Sequence, residues 1–143
     1  RNIAISGSID PSGEVETVSL LMATLRFLGA DDPRLSSRVE AVLRAPGRLW
    51  TEQRCRDGSP RDLRSVSVPT RLLLAHGLSR IGRRDEALAV LSSAVGVLTP
   101  LGLLSGTFDP ATRSLRGNFP LAEAHIGLIE AAFATSPRWS EVM

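Results

Sequence analysis

The sequence has no lysine and no tyrosine, and its only cysteine is Cys55. A single cysteine excludes an internal disulfide and a zinc site built from cysteine thiolates. Aromatic residues make up 4% of the chain, so few side chains are available to stack on a sugar or a base. No apolar run approaches the roughly 20 residues that cross a bilayer, and we expect no membrane contact. Neither a Gly-x-Gly-x-x-Gly motif nor a His and Cys cluster is present, so we expect no metal and no cofactor.

The basic residues are unusual in type and in distribution. All 17 are arginine, the net charge is only +2, and ten of them lie between Arg44 and Arg84 beside three acidic residues. Such a basic segment can bind nucleic acid or an acidic partner. It has too few aromatic residues to stack successive bases, so a solvated arginine-rich face is the better interpretation, and we do not expect nucleic acid as a partner. The lack of disulfides favours a cytoplasmic location.

Hydrophobic spacing and helix-terminal residues predict five helices in one all-α domain, residues 1–143. Asp10-Pro11 and Asp32-Pro33 are typical helix starts, while Gly82 and Pro100 are typical ends. The predicted helices cover residues 12–29, 33–45, 69–81, 85–98 and 121–134, and strands are scarcely indicated. Short connections make neighbouring helices antiparallel, so the chain is expected to consist of antiparallel helix pairs.

Two architectures accommodate helices in antiparallel pairs. Gly77–Val95 is similar to the helix-turn-helix of a tetratricopeptide repeat, which would make a helical-repeat module that binds proteins, but this pattern does not recur. The alternative is an α/α toroid, in which loops build a site at one end. The segment Leu101–Pro120 fits a toroid, because it is a long polar loop that runs directly into an apolar helix. Long loops of this kind are usually functional, so we expect the site here.

Three ordered motifs occupy this loop and the helix after it: Gly102-Leu103-Leu104-Ser105, Phe108-Asp109-Pro110, and Gly117-Asn118-Phe119-Pro120 followed by His125. Earlier in the chain stand Phe27–Arg34 and Gly82–Ala87. With these motifs the chain resembles, over nearly its whole length, the C-terminal part of the catalytic domain of glycoside hydrolase family 15, the bacterial glucoamylase and trehalase-like enzymes. The resemblance implies that the helices are part of an (α/α)6-toroid-like architecture.

The resemblance also implies a chemistry, the inverting hydrolysis of α-glucosidic bonds. That reaction needs one carboxyl group as acid and a second, about 6.5–9.5 Å away, as base. In the family the acid lies in a segment that precedes everything present here, and the base is a Glu in the Gly-Leu-Leu-Ser/Ala-Glu loop. This sequence has Gly106 at the position of the base. We therefore assign no catalytic residue and expect that the glycosidase activity has been lost, unless Asp109 or Asp62 substitutes for the base.

A carbohydrate ligand is still an expectation of the resemblance. The candidate ligand-binding residues are Trp50, Arg54, Asp62, Ser105, Thr107 and Asp109. Other interpretations are open for several polar residues. His76 and His125 lie on apolar helices and are better explained as packed core histidines than as catalytic groups. Asp109-Pro110 is equally well explained as the start of a turn, and Asp32 as a helix cap.

Three hypotheses for function follow. The first is a family 15-like domain that has lost hydrolysis and serves as a binding, regulatory or assembly element, or as a scaffold for altered chemistry. The second is the C-terminal piece of a split or processed α-glucosidase that another chain completes. The third is a helical-repeat module for protein interaction. Because five helices cannot close a ring of twelve, we expect a partner, either in a homo-oligomer or as a complementary chain. The helix over residues 69–81 is the candidate for that contact or for an inner-ring helix.

Overall fold

The computed structural model describes residues 20–21, 24–44 and 66–137. Within them lie four helices and three short strands. The helices are α1 (Pro33–Arg44), α2 (Val68–Arg80), α3 (Arg84–Val95) and α4 (Ala122–Thr135); the strands are β1 (Val66–Ser67), β2 (Thr107–Asp109) and β3 (Ser114–Arg116). Leu20, Leu21 and Thr24 are also helical. No helix in these ranges is long and apolar enough to cross a membrane.

The four predicted helices that fall within the described ranges are confirmed, with ends that differ from the prediction by at most three residues. The earliest predicted helix lies mostly outside those ranges. Its end differs from the prediction, because the chain leaves the helix at Leu25 rather than near Gly29. Arg26, the next residue, has a φ of 57°, a left-handed conformation that no α-helix continues.

The prediction of an all-α domain is confirmed in part, because the described residues are mostly helical but also contain three short strands. The three strands form one antiparallel sheet in the order β1-β2-β3. Two of them lie inside the segment that the sequence predicted as a structureless loop. Each of these two strands has only three residues, too few for an alternating hydrophobic pattern to stand out. The molecule is therefore mostly helical, with a small sheet.

Helix α2 lies at the centre of the described structure. Nine of its 13 residues are buried, and it packs against α1, α3 and α4. One hydrophobic cluster joins α2 to α1 and α3 through residues that include Leu74, Leu78 and Val39. A second joins it to α3, α4 and the loop before β2 through residues that include Leu72, Ala124 and Leu104. The apolar surface of α2 is thus covered within the chain, which corrects its predicted role as the contact helix.

Asp32 caps the start of α1, as its interpretation as a helix cap implies. Its Oδ1 accepts a hydrogen bond of 2.9 Å from the backbone N–H of Arg34. Hydrogen bonds from the Arg34 side chain are the main reason that the pKa of Asp32 is lowered to about 2. Farther along α1, Glu40 pairs with Arg83, which also pairs with Glu86 of α3. Arg83 thus links the two helices through partly exposed ion pairs.

Helix α4 packs closely on α2 along one side and exposes apolar side chains along the other. A Cβ atom built on Gly127 would lie 3.1 Å from Cβ of Leu72, so glycine permits the close approach of the two helices. On the outer side, Ile126, Ile129 and Phe133 are 59%, 54% and 78% exposed. Their spacing of three and four residues places them in one stripe. We call these three residues the outer stripe of α4.

His76 is buried on α2, where it was predicted to be a core residue. Its Nδ1 atom has no hydrogen-bond partner among the described residues. Burial is the main cause that lowers the pKa of His76 from its ordinary value of 6.5; the charges of Arg80 and Arg26 also lower it, while Glu130 on α4 acts in the opposite direction. The folded structure therefore favours the neutral imidazole.

This environment predicts a dependence of stability on pH. His76 binds a proton more readily in the unfolded chain than in the folded chain. The free energy of unfolding therefore decreases as the pH falls below 6.5 toward the lowered pKa. We expect the urea midpoint of the wild-type chain to fall between about pH 7 and pH 5, and to fall less in His76→Gln. The same fall in both proteins would contradict the assignment.

Candidate functional site

The segment that resembles a catalytic loop folds as a β-hairpin. The turn between β2 and β3 is organised by Asp109, whose Oδ1 accepts hydrogen bonds from the backbone N–H groups of Ala111 (2.9 Å) and Thr112 (3.3 Å). Its Oδ2 lies 3.1 Å from the guanidinium of Arg116 on β3. Asp109 therefore starts the turn, which was one of its two predicted roles, and fastens the two strands together.

The surroundings of Asp109 also fix its charge. Hydrogen bonding from Thr112 is the largest cause that lowers the pKa of this carboxyl group, with further contributions from the backbone N–H of Ala111 and the charge of Arg116. The side chain is thus a stabilised carboxylate. A general base works best when its pKa lies near the working pH, so these contacts make Asp109 a weak substitute for the base that the resemblance implies.

Ser105 and Thr107 direct their hydroxyl groups into the loop itself. Ser105 is fully buried, and its Oγ donates to the backbone carbonyl of Thr107 at 2.6 Å. Thr107 Oγ1 donates to the backbone carbonyl of Arg116 at 3.0 Å. Both hydroxyl protons are therefore used within this segment, and only that of Thr107 bridges the two strands of the hairpin. The predicted ligand-binding roles of Ser105, Thr107 and Asp109 remain predictions.

Gly106 links the hairpin to both of its neighbours through its backbone. Its N–H donates to the carbonyl of Asn118 at 3.1 Å, and its carbonyl accepts from the N–H of Val68, the first residue of α2, also at 3.1 Å. Its φ is not positive, and an added Cβ would meet only Cδ2 of Leu121, at 3.4 Å. The backbone therefore does not require glycine at this position, and there is room for a Cβ atom.

His125 on α4 is hydrogen-bonded to the backbone of the loop. Its Nδ1 lies 2.8 Å from the backbone carbonyl of Leu121, and its Nε2 accepts a hydrogen bond of 3.3 Å from the N–H of Leu104. Since Nε2 accepts, Nδ1 carries the proton and donates. The N–H of Leu121 in turn donates to the carbonyl of Leu104 at 2.9 Å. Both ring nitrogens are thus occupied by the backbone, which supports a structural role for this histidine.

Removal of this imidazole has a local and measurable consequence. His125→Ala leaves the N–H of the buried residue Leu104 without its acceptor, which we expect to cost roughly 1–3 kcal/mol of folding free energy. Amide hydrogen exchange at Leu104 should accelerate relative to that at Leu103, whose N–H is held separately by Thr99 Oγ1 at 3.0 Å. Glu123→Ala, an exposed change on the same helix, is the control. Unchanged exchange at Leu104 would contradict the role of His125.

A cleft of about 650 Å³ lies between the hairpin and the end of α3. Phe108 and Leu115 are directly paired across β2 and β3, so they share one face of the hairpin. Both residues line the cleft, whereas Thr107 and Asp109 alternate with Phe108 and belong to the opposite face. The remaining lining residues are Ser93, Gly96, Val97, Leu98, Thr99, Pro110 and Arg113.

The predicted site residues are therefore only partly brought together. Ser105, Thr107 and Asp109 lie in one loop but outside the lining of the cleft. Trp50, Arg54 and Asp62 lie outside the described residues. Sequence patterns do not single out Phe108, Arg113 and Leu115 as a group, because their proximity follows from the hairpin register. No group of three or more His, Cys, Asp or Glu that could hold a metal occurs in the described part of the chain.

Comparison with known proteins finds similarity to curated trehalases. The chain is 32% identical over 124 residues to a trehalase of Thermoplasma acidophilum, and 31% identical over 124 residues to one of Thermoplasma volcanium; each match covers 85% of this chain. A trehalase of Mycolicibacterium smegmatis is 32% identical over 119 residues, or 79% of this chain. The matches cover 21%, 20% and 18% of these proteins, so the chain spans about a fifth of their length. No family model and no solved structure matches.

Proposed function

We propose that this chain is a trehalase-like domain, related to the C-terminal part of a glycoside hydrolase family 15 toroid, that no longer hydrolyses α-glucosides. It would serve instead as a carbohydrate-binding, regulatory or assembly element. The similarity to three trehalases supports the origin of the domain. The observation that carries the loss of hydrolysis is Gly106, which stands where the resemblance places the catalytic base.

The surroundings of Gly106 support this proposal in two ways. Its backbone conformation does not require glycine, so folding alone does not account for the missing carboxylate. Asp109, the nearest acidic residue in the loop, has its oxygens bound by the turn and by Arg116, and its lowered pKa makes it a weak base. A carboxylate that is bound on several sides is poorly placed to take a proton from water.

The proposal predicts that the chain does not release glucose from trehalose or maltose. A coupled glucose assay should give the same signal for the wild-type protein and for a heat-denatured sample. Gly106→Glu restores a carboxylate at the position of the base, where the backbone does not require glycine. Activity in this variant alone would assign the loss of hydrolysis to the base. Sustained glucose release by the wild-type chain would contradict the proposal.

A second candidate function is a piece of an α-glucosidase that another chain completes. The observation that favours it is the length of the match, since about four-fifths of each related trehalase has no counterpart here. A partner is supported by the outer stripe of α4, whose three large apolar side chains are each more than half exposed. Exposed apolar patches commonly mark interaction surfaces. The stripe therefore replaces α2 as the proposed contact with another copy or with a complementary chain.

The role of the stripe can be tested by sedimentation. We expect the wild-type chain to self-associate as its concentration rises, or to copurify with a complementary chain, and Phe133→Asp to abolish that association because it places a charge in an apolar contact. Leu88→Asp is the matched control, since Leu88 is an exposed apolar residue on a different helix. A wild-type protein that stays monomeric and copurifies with no other chain would contradict this contact.

A further inference from the structure

We propose that the cleft between the hairpin and the end of α3 binds a pyranose ring of a neutral saccharide. This inference rests on the proposed function for its choice of carbohydrate, and it goes further by naming a site. The site lies on the opposite face of β2 and β3 from the predicted residues Thr107 and Asp109. Its volume of about 650 Å³ is within the usual range for small-ligand sites.

The floor of the cleft suits the apolar face of a sugar ring. Phe108 and Leu115 form a cross-strand pair, and both are only partly buried. They therefore place two neighbouring apolar side chains in the lining of the cleft, and Phe108 also packs against the second hydrophobic cluster. Carbon-bound hydrogens of a pyranose pack well on such a surface, while the hydroxyl groups project toward its rim.

The rim supplies both donors and acceptors for hydroxyl groups. Arg113 lines the cleft and makes no ion pair within the described part of the chain. Thr99 Oγ1 accepts from the N–H of Leu103 and keeps its own proton to donate. Ser93 Oγ donates to the carbonyl of Val90 at 2.6 Å and keeps lone pairs that can accept. A ligand with several hydroxyl groups uses all three.

The charge of the cleft favours a neutral ligand over an anion. One wall is the C-terminal turn of α3, represented by Ser93, Gly96 and Val97. The C-terminal end of a helix carries partial negative charge, which repels an anion and offsets the charge of Arg113. No acidic side chain lines the cleft, so a cationic ligand has no counter-ion either.

Arg113 is held in place at the expense of backbone strain. Its φ of 52° lies in the left-handed region that favours glycine. Arg113 follows directly after the turn in which Ala111 and Thr112 donate to Asp109, and it is one of the residues that line the cleft. Arg113→Gly would relieve the strain and remove the guanidinium in one change. A loss of binding in this variant could therefore not be explained by a loss of stability.

The test is a titration followed by amide NMR, with trehalose and maltotriose as neutral probes and glucose 6-phosphate as the anionic one. We expect the neutral sugars to shift the amides of Gly96, Thr99 and Arg113, with dissociation constants of about a millimolar. Arg113→Gly should weaken binding about tenfold or more without lowering the melting temperature. Arg26→Gly is the matched control, because Arg26 also has a positive φ, of 57°, and does not line the cleft.

Phe108→Leu provides a second variant that keeps an apolar side chain but removes the ring, and it too should weaken binding. The proposal is overturned if neutral sugars leave the cleft amides unshifted, if Arg113→Gly binds as tightly as the wild-type chain, or if only glucose 6-phosphate binds. Its failure is distinct from that of the proposed function. Glucose release by the wild-type chain would overturn the loss of hydrolysis and leave the cleft intact, whereas absent binding without hydrolysis would overturn the cleft alone.

Discussion

The structure depends on the burial of α2. This helix has apolar residues on most of its sides, and a helix of this kind is stable in water only when its neighbours cover it. Helices α1, α3 and α4 do so, and the loop before β2 closes one end through Leu104. The hydrogen bond from the N–H of Val68 to the carbonyl of Gly106 ties the start of α2 to the same loop. The position of the candidate site therefore follows from the packing of the core.

Helices could be predicted from the sequence because their signals are local. Asp32 caps α1 with its own carboxylate. Gly82 lies two residues after the end of α2, and its φ of 83° does not continue the helix. The strands could not be predicted in this way, because β1 pairs with β2 across some 40 residues and each strand is too short to show a pattern. The same long-range pairing decides which loop residues share a face, and so the cleft was not foreseen.

The roles of some polar residues could also be predicted from the sequence, whereas those of others could not. The sequence predicted packed core histidines at positions 76 and 125; His76 is buried, whereas His125 is half-buried and binds the backbone with both ring nitrogens. It left Asp109 open between a turn and a site, because an Asp-Pro pair is common in both; the contacts of its two oxygens assign it to the turn. The outer stripe of α4 could not be predicted from the sequence. A helix with apolar residues on all sides does not indicate which side the rest of the chain will cover.

The proposed function joins two features of one hairpin: a missing carboxylate at Gly106, and an apolar cleft bordered by Arg113 on the other face. A crystal structure of the wild-type chain soaked with maltotriose tests both features at once. The account predicts an intact trisaccharide with a ring on Phe108 and Leu115. A cleaved sugar bound beside Gly106, with the cleft empty, would contradict it.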